Sequence, residues 1–207
     1  MSAVPRWALL SAGGAPLFLI GGWTLAQAAQ AEGFDPVRQT ISALAATGAD
    51  HRWIMTIGLA GLGLCHLTTA LGLVTAAPAG RGLLALGGLS TLILVAFPQN
   101  PAGGSTTHAV AAGVAFGALA VWPALAVSRR ATPSPDREHL HSPAPVRSGA
   151  LAATALLLGL VGWFAVEFFT DGAWIGLTER LAAAAEAGVP LAAVLLSRRW
   201  PRPSGPG

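Results

Sequence analysis

Six long apolar runs leave this chain few folds to choose from. A helix needs about 20 mostly apolar residues to cross the hydrocarbon core of a bilayer. Runs of roughly this length lie at about 7–29, 53–77, 82–98, 106–128, 149–168 and 175–197. An open sheet would leave backbone groups unpaired in hydrocarbon, so these runs must be helical. The sequence therefore predicts an all-α, polytopic integral membrane bundle of six transmembrane helices, formed as a single domain over residues 1–197.

Composition supports the membrane class and removes several others. Only 10% of the 207 residues are charged, whereas soluble domains are about a quarter charged. A pI near 11 would suggest nucleic acid for a soluble protein, but these arginines flank apolar runs, so we expect no nucleic-acid partner. The single cysteine, Cys65, excludes an internal disulfide framework and a cysteine-based zinc site.

The arginines predict the orientation of the bundle. With the N-terminus in the cytoplasm, nine of the twelve arginines lie in cytoplasmic segments, as the positive-inside rule requires. The outer three are Arg38, Arg52 and Arg180. We therefore expect both termini in the cytoplasm, a flexible proline-rich inner loop at 129–148, and a disordered cytoplasmic tail at 198–207.

The first apolar run has an alternative interpretation as a signal peptide. Arg6 precedes it, and small residues at 26–28 resemble a cleavage site. The run is longer than a usual signal core, and its glycine pairs at 13–14 and 21–22 suit helix packing. These features favour a retained span, although cleavage would leave the C-terminus inside as well.

A polar stretch at 33–52, between the first two runs, predicts a short interfacial amphipathic helix. Asp35 suits an N-cap, Pro36 the first helical position and Gly48 the residue just past the end. Arg38 and Ser42 are four residues apart and so share one helical face. We expect this helix to lie at the outer membrane surface with its polar face turned inward.

Polar side chains gather at the outer ends of the spans and could form one outward-facing pocket. The candidate ligand-binding residues are Asp35, Arg38, Ser42, His108, Glu167, Glu179 and Arg180. Arginines could hold a phosphate or carboxylate head group while the spans hold an apolar tail. In an enzyme, His108 with Glu179 or Glu167 would be the catalytic acid/base pair. Loops are polar in any case because they meet water, so whether the protein is an enzyme stays open.

The residue Arg38 carries a specific expectation. A guanidinium at the edge of hydrocarbon needs a partner, because an unpaired charge there is costly. Asp35 would be engaged as an N-cap, and loop carboxylates are satisfied by water. We therefore expect Arg38 to pair with Glu179 or Glu167.

Two polar residues lie deeper within the predicted spans. His66 lies thirteen residues into the second span and Glu186 about eleven into the sixth, which places them about 20 Å and 16 Å deep at 1.5 Å per residue. An intramembrane carboxyl group suggests function by default, and the similar depths allow the two to pair. Alternatively, His66 is a neutral core histidine bonded to a backbone carbonyl, Thr68 or Thr69.

We expect no metal site and no cofactor. His108 is only about 3 Å into its span, far from His66 in depth, and one ion cannot bridge that gap with bonds of about 2 Å. The sequence contains no Walker loop, no GxSxG elbow and no HExxH.

Four segments together show a resemblance to a known family. The segments 34–45, 63–70, 98–108 and 176–181 resemble the actinobacterial branch of domain of unknown function family 998, and the resemblance extends over residues 7–196. It implies a small multi-span protein of the bacterial cytoplasmic membrane. It carries over no catalytic residue.

Three functions remain in view from the sequence. The first is binding or processing of a lipid or apolar small molecule through the outward-facing pocket. The second is a small proton-coupled transporter that uses His66 and Glu186. The third is a structural subunit of a membrane complex, suggested by the many small residues on the spans. Membrane lipids are the partners expected in all three.

Overall fold

The architecture is entirely helical in the part of the chain that is described. The computed structural model describes residues 4–31, 33–100, 105–127 and 144–199. Its helices are α1 (Arg6–Ala28), α2 (Ile41–Leu44), α3 (Trp53–Gly72), α4 (Pro78–Ala96), α5 (Thr106–Ala126), α6 (Ala144–Phe169) and α7 (Ile175–Arg199). Six of these helices are long and apolar enough to cross a membrane, and α2 is the short seventh. The predicted six-span fold is confirmed.

Two helices begin before the predicted spans because proline occupies their first turns, and α3 ends at Gly72 rather than at 77. Pro78 occupies the first turn of α4, four residues before the predicted start, because proline lacks the N–H that a first turn leaves unpaired. In the same way α6 begins at Ala144, just before Pro145, rather than at 149. Residues 129–143 of the predicted inner loop and residues 200–207 of the predicted tail lie outside the described residues.

The six spanning helices form a closed ring. Helix α1 packs on α3, α3 on α4, α4 on α5, α5 on α6 and α6 on α7, and α7 returns to α1. Helix α7 also contacts α3 and α5 across the ring, whereas α6 buries little more than Thr154 and Leu157. Helix α7 therefore projects further toward the interior of the bundle than α6 does.

Helix α1 is a wall of this ring. Its Ala15 and Leu19 belong to one buried apolar cluster, and its Ala8 and Ala12 belong to the second. Of the glycine pairs noted in the sequence, Gly22 lies against Gly58 of α3, where an added Cβ would come within 3.0 Å of the Gly58 Cα. Small residues of this kind let helix backbones approach closely in a membrane.

Helix α2 corrects the prediction for the first outer segment. Instead of a helix from Asp35 to Gly48, the chain makes a turn at 36–38 and then the four-residue helix α2. Asp35 Oδ1 accepts the N–H of Val37 in that turn, and Thr40 is the true N-cap, with Oγ1 3.1 Å from the amide of Ala43. Ile41 and Leu44 of α2 are only 3% and 0% exposed, so this helix enters the end of the bundle rather than lying on its surface.

Candidate functional site

The segment of residues 36–44, called here the docked segment, is hydrogen-bonded onto the start of α7. The carbonyl oxygen of Val37 accepts the N–H groups of Gly176 at 2.8 Å and Leu177 at 3.1 Å. The first N–H groups of a helix have no partner within the helix, and the docked segment supplies one. Competition from these donors explains why residues 35–39 form a turn instead of the predicted helix.

Arg180 fixes the same segment from the side. Its Nη1 donates to three carbonyl oxygens, those of Pro36 at 2.8 Å, Gln39 at 2.7 Å and Gly176 at 2.9 Å. Its guanidinium carbon lies 6.0 Å from the ring centre of Trp23 and 5.9 Å from that of Phe34. One nitrogen of Arg180 therefore joins the docked segment to α7. Arg180 is only 9% exposed.

Glu179 holds the far end of the docked segment. One carboxylate oxygen accepts the N–H of Ile41, and the other lies 3.3 Å from the hydroxyl of Ser42. The side chain is 5% exposed. Two consecutive residues of α7 thus bind the two halves of the docked segment. Arg180 donates to backbone carbonyls of the segment, and Glu179 accepts from one of its backbone amides and one of its hydroxyls.

The predicted ion pair of Arg38 with Glu179 or Glu167 is wrong. Arg38 lies 3.5 Å from Asp35, and both side chains are largely exposed. Glu179 is satisfied by hydrogen-bond donors of the docked segment, so it needs no guanidinium. Because the segment is a turn rather than a long helix, Arg38 points to the surface and water can solvate it.

The remaining outer candidates serve separate parts of the structure. Glu167 accepts the N–H of Trp174 at 2.9 Å and so closes the turn between α6 and α7. His108 Nδ1 lies 3.0 Å from the carbonyl oxygen of Phe97, which can only accept, so Nδ1 is the donor. In the described part of the chain no hydrogen bond joins His108 to Glu167 or Glu179.

A small, partly open cavity, called here the central cavity, lies between the docked segment and the middle of the bundle. Its volume is about 50 Å³. A buried water needs at least about 10–15 Å³ of such space and two to four polar partners, so the cavity can hold a few. Its polar lining residues are Ser42, His66, Thr91, Glu179 and Glu186.

His66 and Glu186 are buried in this cavity without protein partners. They are 1% and 2% exposed, and both ring nitrogens of His66 and Oε1 of Glu186 lack a hydrogen bond in the structure. The bond from His66 to a backbone carbonyl, Thr68 or Thr69 that the sequence allowed is absent, and Thr69 instead meets the hydroxyl of Ser11 at 2.8 Å. Buried polar groups without protein partners are usually bonded to water.

Thr91 was not among the residues predicted from the sequence, and Ser42 was predicted only for the outer pocket. Thr91 is a lone hydroxyl in an apolar run, and it donates to the carbonyl of Gly87 one turn back, at 2.9 Å. That bond leaves its oxygen free to accept from the cavity. A polar residue in a membrane helix is the signal that could have found it, although a helix-bonded threonine is a common alternative.

No arginine is among the described residues that line the cavity, and the guanidinium of Arg180 donates to the docked segment instead. Among the described residues, no group of three or more His, Cys, Asp or Glu side chains is arranged to hold a metal ion. A second, more open groove of about 470 Å³ lies between α4 and α5. It is lined by Leu86, Ser90, Ile93, Thr106, Thr107, Val110, Ala111 and Val114.

Comparison with known proteins identifies a family but no characterised relative. No curated protein and no solved structure matches the chain significantly. The model of the family described as "Protein of unknown function (DUF998)" matches residues 12–196, which is most of the chain. The matched region includes the docked segment, all seven helices in whole or part, and every residue that lines the central cavity. This multi-span membrane protein therefore belongs to the DUF998 family.

Proposed function

We propose that this protein is a small proton-coupled transporter of the bacterial cytoplasmic membrane. In this proposal Glu186 and His66 take up and release the proton in the central cavity, and Glu179 connects them to the docked segment. The observation that carries the proposal is that two carboxyl groups and an imidazole are buried around one small cavity between the spanning helices. Ionisable side chains within membrane spans are costly, and they mark substrate or ion pathways, proton relays and ligand counter-ions.

The contents of the cavity favour a proton over a larger species. A volume of about 50 Å³ suits a few waters and is well below the roughly 300–1,000 Å³ of typical small-molecule pockets. Waters in such a space can link His66, Glu186 and Glu179 by hydrogen bonds even where the side chains do not touch. A coupled substrate would need a wider state of the same bundle, which displacement of the docked segment would provide.

The proposal includes an orientation, in which the docked segment faces the outside and both termini face the cytoplasm. It rests on the arginine distribution, with Arg6, Arg81 and Arg198 at the end of the bundle opposite the docked segment. Reporter fusions after residues 137 and 207 are expected to read cytoplasmic, and a fusion after residue 103 periplasmic. A periplasmic reading at residue 207 would reverse the orientation, and the docked segment would then close the cytoplasmic side.

Replacing Glu186 with Gln is expected to remove most of the proton-dependent charge movement. Purified protein in liposomes on a solid-supported membrane should give a transient current after a pH jump, because protons enter binding sites within the membrane field. We expect Glu186→Gln to reduce that current about tenfold, since loss of a positioned proton carrier typically costs a factor of 10²–10⁴ in proton transfer and other groups retain part of the signal.

Glu167→Gln is the matched control, since Glu167 is also a carboxylate on a spanning helix but lies outside the cavity. Its current should equal that of the unchanged protein. Equal currents from the unchanged protein and from Glu186→Gln would contradict the proposal.

A second candidate function is the binding of a lipid or apolar small molecule. It is favoured by the groove of about 470 Å³ between α4 and α5, whose threonines 106 and 107 lie at the end nearest the docked segment.

Cys65 is a poor probe for choosing between the two functions, because its sulfur lies against Gly14 of α1 and not in the cavity. A cysteine at Thr91, in a Cys65→Ala background, would report on the cavity directly. Labelling by a water-soluble thiol reagent favours transport, and an inert thiol favours the groove.

A further inference from the structure

The guanidinium of Arg180 is hydrogen-bonded to the described part of the protein along one edge only. Its Nη1 donates to three backbone carbonyls, which locks the plane of the guanidinium. Its Nε and Nη2 are buried and have no hydrogen-bond partner in the structure. These two nitrogens form the side of the guanidinium whose parallel N–H groups match a carboxylate or phosphate with two bonds at once.

Among the described residues, no carboxylate forms an ion pair with Arg180. Both oxygens of Glu179 are engaged by the docked segment. Asp35 accepts the N–H of Val37 with Oδ1 and pairs with Arg38 through Oδ2. A buried guanidinium with two unmatched donors is costly at the edge of hydrocarbon, which points to a partner that comes from outside this set.

The surroundings of the free edge suit a ligand at the head-group level of the bilayer. Arg180 is five residues beyond Ile175, the first residue of α7, or about 7–8 Å along the helix. The rings of Trp23 and Phe34 flank the guanidinium at about 6 Å. Aromatic rings at this depth are typical of the membrane interface, where lipid phosphates lie.

We propose that the Nε/Nη2 edge of Arg180 is a binding site for an oxyanion, a phosphate or carboxylate group, between Trp23 and Phe34. The group belongs either to a membrane lipid or to a small soluble anion. The site does not depend on proton-coupled transport, because Arg180 does not line the central cavity. Binding there stabilises the docked segment, since the same guanidinium holds the carbonyls of Pro36 and Gln39.

The test uses the full-length protein in nanodiscs made from digalactosyldiacylglycerol, which forms bilayers and has no phosphate. Phosphatidylglycerol in the disc is the first probe, and inorganic phosphate in the buffer is the second. At a probe concentration about 100-fold above the dissociation constant, the thermal midpoint should rise by about 5 °C or more. A rise with phosphatidylglycerol alone identifies a lipid head group, and a rise with inorganic phosphate as well identifies a soluble oxyanion.

Arg180→Lys keeps the charge but loses the paired donors, so its midpoint should not rise with either probe. Arg38→Lys is the matched control, because Arg38 lies on the docked segment and is exposed, and its midpoint should rise as in the unchanged protein. The proposal is overturned if the unchanged protein responds to neither probe, a result that does not depend on whether Arg180→Lys folds. Equal responses from the two lysine variants would overturn it too.

Glu32 precedes Phe34 by two residues in the sequence and lies outside the described residues. If Glu32 filled the edge, Glu32→Gln would lower the midpoint in galactolipid discs and the unchanged protein would show no probe response. That pattern would overturn the proposal. A Glu32→Gln midpoint that still rises with the probe supports it.

Discussion

Replacing Gly176 with Ala is expected to detach the docked segment and lower the free energy of unfolding by about 3 kcal/mol, the upper end of the range for inserting atoms into a packed site. A Cβ at this position would lie 2.3 Å from the carbonyl oxygen of Gln39 and 2.6 Å from that of Pro36. Both contacts are with backbone, so neither can be relieved by rotating a side chain. The segment must move away, and its bonds to Gly176, Leu177 and Arg180 lengthen with it.

Gly188→Ala is the matched control for this prediction. It lies on the same helix, and a Cβ there would meet nothing within 4 Å. Because alanine is the better helix former by about 1 kcal/mol, Gly188→Ala should be neutral or slightly stabilising. Denaturant titration of both variants in detergent measures the difference. Equal stabilities for Gly176→Ala and Gly188→Ala would mean that the segment is not held against α7.

Gly176 also shows why the sequence predicted the bundle better than its site. Six apolar runs and the arginine pattern are properties of single segments, and they predict spanning helices from their own residues. Docking of residues 36–44 depends on a contact between segments about 140 positions apart in the sequence, such as Gln39 and Gly176. Nothing in a glycine at the start of an apolar helix distinguishes a close backbone contact from an ordinary cap.

The central cavity was predicted in part. The similar depths of His66 and Glu186 followed from counting residues along two helices, because helical rise is constant. The ring order of the helices decides which face of each helix turns inward. It also brings Glu179 and Ser42 to the same cavity as His66 and Glu186. That order is set by packing contacts such as Gly63 against Gly88, which a single sequence does not reveal.

The outer pocket was predicted least well, because its polar residues were grouped by membrane side alone. Arg38 looked like the residue in need of a carboxylate, but Arg180 is the one that is buried. Arg180 lies within the predicted sixth span while Arg38 lies in a loop, so depth was the better guide. A loop arginine can reach water, whereas a span arginine must find backbone carbonyls or an anion.

Replacing Glu179 with Ala is expected to cost about 3 kcal/mol of unfolding free energy. The buried N–H of Ile41 and the hydroxyl of Ser42 both lose their acceptor, and a buried donor left unsatisfied costs about 1–3 kcal/mol. Removal of the carboxyl group also enlarges the central cavity that it lines, which adds a smaller destabilisation. Glu179→Gln should cost less, because its amide oxygen still accepts one of the two bonds.

Two double-mutant cycles separate this arrangement from the ion pair that the sequence suggested. Glu179→Ala with Ser42→Ala should show a coupling energy of about 1 kcal/mol, since the two side chains are in contact. Glu179→Ala with Arg38→Ala should be additive, because Arg38 is exposed and pairs with Asp35, and Arg38→Ala alone should change stability by less than about 0.5 kcal/mol. Coupling to Arg38 but not to Ser42 would mean that in the membrane the segment adopts the longer helix and that Glu179 binds the guanidinium after all. The same result would remove the link between the docked segment and the central cavity, because Glu179 is the side chain that belongs to both.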